Sequence, residues 1–252
     1  MPDGSTAASN SVGAGTLNNR GDVAFGLLLA GNKKPRTGIY LFSGGRTSTI
    51  ALDGGETPIG GTFDLRAEVP DGTPKVNDAG SVGIMATVEG GSFPGGVFLA
   101  SPTAALKVVA IGERLPTGEK IRGISAFSLN NLGQVAFFAH SETDAIFGPI
   151  GLYLATPATP TIAKVKVKGD PAAPKLVVDG DVFITNDSVI ETNGQALETA
   201  YPQAFQQDGG TTQRLVSRDA RLAGLLSSGQ ALQVTVFNKL TARRSDAFTF
   251  SR

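Results

Sequence analysis

The sequence predicts an all-β fold, a β-propeller-like array of four-stranded antiparallel repeats of about 55–60 residues, and three recurring landmarks carry that prediction. The first is an octet. Asn18-Asn19-Arg20-Gly21-Asp22-Val23-Ala24-Phe25 returns as Asn77-Asp78-Ala79-Gly80-Ser81-Val82-Gly83-Ile84 and as Asn130-Asn131-Leu132-Gly133-Gln134-Val135-Ala136-Phe137, spaced 59 and 53 residues apart. The second is Gly38-Ile39-Tyr40-Leu41, repeated as Gly96-Val97-Phe98-Leu99 and Gly151-Leu152-Tyr153-Leu154. The third is a turn ending in proline, with Pro58, Pro116 and Pro174 each 58 residues apart. One order of landmarks, kept three times, sets the architecture before any single strand is placed.

Within each unit, short apolar or alternating runs lie between Gly, Pro, Asn and Ser, the pattern of strands joined by turns. In the first unit the predicted strands are Val23 to Ala30, Gly38 to Phe42, Thr47 to Leu52 and Thr62 to Glu68. In the second they fall near Val82 to Val88, Gly96 to Ala100, Leu106 to Ile111 and Lys120 to Ser128. In the third they are Val135 to His140, Gly151 to Ala155, Thr161 to Lys168 and Lys175 to Ile184. No helical periodicity is read anywhere. The Asn-x-x-Gly element reads as a turn into the innermost strand, because Asn bonds its own backbone and Gly accepts positive φ. Echoes at Asn193-Gly194 and Ser228-Gly229 suggest one diverged unit at the end. The expected organisation is a single β-repeat domain over residues 1–252, with units at about 14–72, 73–126, 127–185 and 186–252. A unit of this kind cannot bury its faces alone, so it must stack on copies of itself, and radial stacking gives a propeller. Paired β-sandwiches are the alternative.

Composition narrows the chemistry. With 40% hydrophobic and 17% charged residues over 252 positions, the chain has the makings of a packed core. The absence of Cys removes thiolate nucleophiles, disulfides and zinc-Cys or iron-sulfur sites together. His140 is the only imidazole, so a His-dependent triad would have to be built on it. Twenty-two basic residues against 22 acidic ones give no overall field for a polyanion, which argues against nucleic acid as a partner. No run approaches the roughly 20 apolar residues of a membrane span. The first ten residues, Met1 to Asn10, show neither the basic nor the apolar region of a secretory signal.

The octets at Asn18 and Asn130, followed by Gly-Ile/Leu-Tyr-Leu and by Gly60-Gly61-Thr62-Phe63, resemble the bacterial tandem-repeat proteins named for an N-x-x-G-x-(V)A-F motif. The resemblance covers about residues 14–184 and is weaker in the second unit, where Gly83-Ile84 stands for Ala-Phe. It implies an exported protein, extracellular or at the cell surface, of undefined function. It supplies no catalytic residues. No anchor signal is visible in this chain.

Candidate sites follow from the same residues. Asn18, Asn77 and Asn130 occupy equivalent positions that could line a central channel and bind a ligand, although turn-holding is their bland role. Asp179, Asp181 and Asp187 gather oxygen donors of the kind calcium takes, but Phe183 and Ile184 stand where a calcium loop needs a donor and a glycine. Lys164, Lys166 and Lys168 put three ammonium groups on one face of one strand, suited to an anionic polymer or to blocking edge-to-edge aggregation. The tripeptide Arg20-Gly21-Asp22 reads as a coincidence of the repeat. Glu56, Glu113 and Asp170 follow equivalent positions and read as turn supports, though paired carboxylates can hydrolyse glycosidic bonds. The expected function is a non-enzymatic binding or scaffolding module, with no cofactor and with a carbohydrate or protein partner at the cell surface. The alternatives are a carboxylate-based carbohydrate-active enzyme and a structural piece of a longer repeat array.

Overall fold

Among the described residues every sheet is antiparallel and none closes on itself. The computed structural model describes residues 6–30, 36–65, 72–141, 150–207 and 209–250. The chain divides into two compact units, Met1–Thr156 and Pro157–Arg252.

In the first unit, β1 (Thr6–Leu17), β2 (Val23–Ala30), β3 (Arg36–Ser43) and β4 (Arg46–Leu52) pair in sequence order. The next sheet holds β5 (Thr62–Asp64), β6 (Lys75–Val76), β7 (Val82–Glu89), β8 (Gly95–Ala100) and β9 (Ala105–Ala110). Both β5 and β6 pair with β7, so two short strands take the place that β1 takes beside β2. The third sheet is β10 (Ile121–Leu129), β11 (Val135–Ser141) and β12 (Ile150–Ala155). One buried cluster joins Ala24, Ile39 and Leu41 of the first sheet to Phe63, Ile84 and Phe98 of the second. Phe63 meets Phe98 edge to face at 5.3 Å between ring centroids, the favoured geometry of aromatic quadrupoles.

The second landmark has a packing cause. At Gly38 and Gly151, an added Cβ would run into the rings of Tyr40 and Tyr153, so glycine lets the aromatic ring two residues on lie back over the strand. Each ring then stacks on a neighbour, Tyr40 on Phe25 and Tyr153 on Phe137, at 6.0 and 5.7 Å.

Of the predicted strand Thr62 to Glu68 only Thr62–Asp64 is strand, residues 66–68 lying outside the described residues, and sheet membership differs from the expected units. Thr62–Asp64, expected to close the first unit, pairs with β7 of the second sheet, and Ile121–Leu129 pairs with β11 of the third. Each sheet therefore begins with the strand before the Asn-x-x-Gly turn, so that turn leads into the second strand and not the first. The proline turn is what carries the chain between sheets. Gly54 donates to Phe63 O at 2.7 Å and Phe63 to Gly55 O at 2.8 Å; Gly112, Ile121 and Glu113 repeat both bonds. At the third copy the turn from Asp170 is instead a hairpin that sets Lys168 opposite Lys175. Thr161–Lys168 thus joins the second unit and leaves the third sheet with three strands.

The second unit contains β13 (Thr161–Lys168), β14 (Lys175–Ile184), β15 (Ser188–Thr192), β16 (Gln195–Ala196), β17 (Gln206–Gln207), β18 (Thr211–Ser217), α1 (Leu222–Ser227), β19 (Leu232–Asn238), β20 (Arg243–Arg244) and β21 (Phe248–Phe250). One sheet runs β13-β14-β18-β17 and the other β16-β15-β19-β20, with β21 also on β19. Their inner faces share a core, Leu176, Phe183 and Leu215 from one sheet packing with Ile190, Val234 and Val236 of the other. This is a paired-sheet arrangement. The strands β15, β18 and β19, from the expected last unit, are thereby built into one core with β13 and β14, which precede them.

The helix α1 departs from the all-strand expectation. Its Leu222 is buried and Leu225 and Leu226 pack partly against the same core, the i, i+3, i+4 spacing of a helical face. Among the described residues, no helix is long and apolar enough to cross a membrane.

Candidate functional site

The three repeat asparagines hold turns, and two of them also reach the next turn. Asn77 Oδ1 accepts from the N–H groups of Ala79 (3.1 Å) and Ser81 (2.9 Å), and its Nδ2 donates to the carbonyl of Asn130 at 3.3 Å. Asn18 makes the same pair of bonds, from Arg20 and Asp22, and donates to Asn77 O at 2.8 Å. Asn130 repeats the local bonds with Leu132 and Gln134, but its amide turns back to Gln134 Oε1 at 2.8 Å. Glycine completes each turn at positive φ, +83° at Gly21, +81° at Gly80 and +71° at Gly133, a conformation costly to a residue with a Cβ.

A second ladder runs beside the first. Asp78 accepts from Asn19 through both its backbone N–H and its side chain at 2.9 Å, and from Asn131 Nδ2 at 2.6 Å. The Asn19 bonds hold the Asp78 carboxyl below the usual range. Arg20 donates to Asp78 O at 2.8 Å, while Asp22 is buried and bonded to Asn18. The Arg20-Gly21-Asp22 tripeptide is therefore spent within this stack of turns.

The remaining predicted residues separate. Asp179 is gripped by Arg214 Nε and, at 3.4 Å, by Lys166 Nζ, and the Arg214 bond leads in lowering its pKa. Asp181 is exposed and meets Gln213 Nε2 at 3.4 Å. Asp187 is buried, accepts from the Leu240 N–H at 2.7 Å, and has its pKa raised by burial. Among the described residues, no group of three or more His, Cys, Asp or Glu is placed to hold a metal ion. Glu113 pairs with Lys107 and accepts from the Ala110 N–H at 2.8 Å, and Asp170 accepts from the Ala172 N–H at 2.8 Å, each inside its own turn. Glu56 is exposed beside the equivalent turn. His140 is half-buried near the end of β11, opposite Gly123; its neighbour Glu142 lies outside the described residues.

What the structure assembles is an electropositive sheet face. Val165, Val178 and Leu215 are in register and point into the second unit's core, so the alternate residues of the same strands point outward. Lys164, Asp179 and Arg214 form one outward row, and Lys166, Val177 and Val216 the next. In the last row Lys168 stands directly opposite Lys175, and Arg218 follows Ser217, which faces Leu176. None of Lys168, Lys175 and Arg218 has an ion pair among the described residues. Like charges set directly opposite across strands lower stability, so this row is maintained at a cost to the fold.

Beside that row lies a groove of about 490 Å³ lined by Lys175, Glu198, Tyr201, Pro202, Val216 and Arg218. Its far wall is fixed by a two-way backbone bridge between Ala200 and Val216, 2.7 and 3.0 Å long. Tyr201 is anchored by donating its hydroxyl to Ser188 O at 2.6 Å, and burial, with the nearby Asp187 charge, pushes its pKa up to about 12. Two residues before Val216 on β18, the Arg214 guanidinium lies over the Phe205 ring at 3.9 Å. The sequence pointed to Lys164, Lys166 and Lys168 but not to Lys175, Arg214, Arg218 or Tyr201. Only the alternation Arg214-Leu215-Val216-Ser217-Arg218 hinted at them, and it does not reveal which strands are neighbours.

The chain belongs to a family of unknown function, DUF7453, whose model matches residues 1–221 of 252. No curated protein matches it.

Proposed function

We propose that this protein is a non-enzymatic binding and scaffolding module, exported or displayed at the cell surface, in which the first unit serves as scaffold and the outer face of the second unit binds. The carrying observation is the row Lys168, Lys175 and Arg218 beside the groove, without an ion pair among the described residues. A fold selected for stability alone would set carboxylates among these cations, as it does with Asp179 between Lys166 and Arg214. In the same reading, the three sheets of the first unit are propeller-like blades of tandem repeats with the N-x-x-G-x-(V)A-F motif. The equivalent turns at Asn18, Asn77 and Asn130 support that reading. A thermal-unfolding screen of the full chain with oligosaccharides and peptides tests it, because a ligand of the folded state raises the midpoint by an amount set by its concentration over Kd. A ligand-dependent rise that is lost at high salt is the expected result, and no rise with any class would defeat the proposal.

A second reading, part of a longer repeat array, draws on one feature. In the three-stranded third sheet, β12 pairs only with β11 among the described residues, and Leu152 and Leu154 on it are 66% and 61% exposed. Such an edge favours pairing with another chain. Concentration-dependent self-association, abolished by Leu152→Lys, would support this reading, and a strictly monomeric protein would exclude it.

A further inference from the structure

Resting on the binding-module reading, we infer that the groove beside Lys175 and Arg218 takes an acidic sugar, a pyranose unit bearing a carboxylate. Three features of the groove select this chemistry. Lys175 at the start of β14 and Arg218, the residue after β18, line one side, free of ion pairs among the described residues, and supply charge-assisted donors for one carboxylate. Glu198, exposed and lining the same groove, supplies an acceptor that repels a small dianion but suits hydroxyl donors. Tyr201, Pro202 and Val216 supply an apolar surface against which one face of a sugar ring packs, with the Tyr201 ring held still by its bond to Ser188.

An isolated phosphate uses the cations but neither the apolar wall nor the carboxylate. An extended peptide would need a free main-chain edge, and the edge here is already taken, because Ala200 and Val216 exchange both backbone hydrogen bonds. A sugar acid meets all three features at once. Lys168, directly across from Lys175, lies beyond the groove's lining residues and extends the cationic row toward a further acidic unit of a polymer.

The test is isothermal titration of the full chain with a trigalacturonate, a neutral galactotriose and inorganic phosphate, repeated for Lys175→Gln/Arg218→Gln and for Lys164→Gln. The inference expects the trigalacturonate to bind most tightly. Affinity should weaken about tenfold or more in the double variant, which loses two charge-assisted contacts, and about twofold or less in Lys164→Gln. Glu198→Ala should weaken the sugar acid while leaving or strengthening phosphate, since it removes a hydroxyl acceptor and a negative charge together. Circular dichroism confirms that each variant is folded. Phosphate binding as tight as the trigalacturonate overturns the sugar assignment. Binding of the neutral sugar alone, or of peptides from the thermal screen, overturns this inference while sparing the binding-module reading. No binding by any probe removes both.

Discussion

The two units solve the problem of β-sheet stability in different ways. In the first, polar side chains link one repeat turn to the next. Asn18 and Asn77 satisfy their own turns and then donate to the next, and Asp78 ties Asn19 to Asn131 in parallel. In the second, the corresponding work is done inside, where Asn238 donates to Val182 O at 2.7 Å and accepts from Ser188, whose Oγ also accepts from the Ile184 N–H at 2.6 Å. That buried network holds Val182 at φ +61°, a strained conformation for a β-branched residue, where β14 shifts register against β18. The lesson is that repetition lets each turn rest on its neighbour, whereas the non-repeating unit must secure its irregular strand with a buried polar network. Its outward face is then open to carry charge.

The largest effects should come from the two cores. Phe98→Ala in the first and Phe183→Ala in the second each remove a fully buried ring and should cost about 3–5 kcal/mol by urea unfolding. Asn238→Ala should follow at about 1–3 kcal/mol, because it strands Val182 O and Ser188 in the interior. A smaller loss would mean that the strained strand is held by packing alone. Next, Asn77→Ala should cost more than Asn130→Ala, by roughly 1 kcal/mol, since Asn77 is buried and bridges two turns while the Asn130 amide closes on its own. Equal costs would show that the link between turns contributes nothing.

The smallest effects concern pH. Asp22, Asp78, Asp179, Glu191 and Asp219 all have folded pKa values below their ordinary ones. Their contribution is complete above the unfolded carboxylate range of about 4 and is lost as pH falls through the depressed folded values. Asp187 runs the other way. Burial raises its pKa, so its ionisation destabilises the fold as pH rises from about 4 through the raised folded value. Asp187→Asn keeps an acceptor for the Leu240 N–H and should gain on the wild type between about pH 4 and pH 8, measured by urea unfolding at both ends. A constant difference across that window would show that Asp187 does not titrate there.

Much of the first unit was legible because its signals are local. Asn18 and Gly21 specify a turn within four residues, and Gly38 before Tyr40 specifies a ring lying over its own strand. Sheet membership was harder to read, because whether Thr62–Asp64 pairs backward or forward depends on the hydrogen bonds of the proline turn and not on the strand's own pattern. The diversion of Thr161–Lys168 into the second unit hangs on one hairpin at Asp170, which looks like the third copy of a landmark but bonds differently. The short helix was hidden by Gly224 within a Leu222, Leu225, Leu226 pattern only two turns long. The electropositive face was out of reach, since Lys168, Lys175 and Arg218 become neighbours only once three strands are set in register.

The proposed binding surface is the outer face of the second unit and not the repeat asparagines of the first. Amide chemical-shift mapping of the isotope-labelled full chain during titration with a trigalacturonate tests it most directly. Shifts are expected at Lys166, Lys168, Lys175, Tyr201, Val216 and Arg218, with the turns at Asn18, Asn77 and Asn130 unmoved. Shifts centred on those three turns, with the sheet face silent, would contradict it.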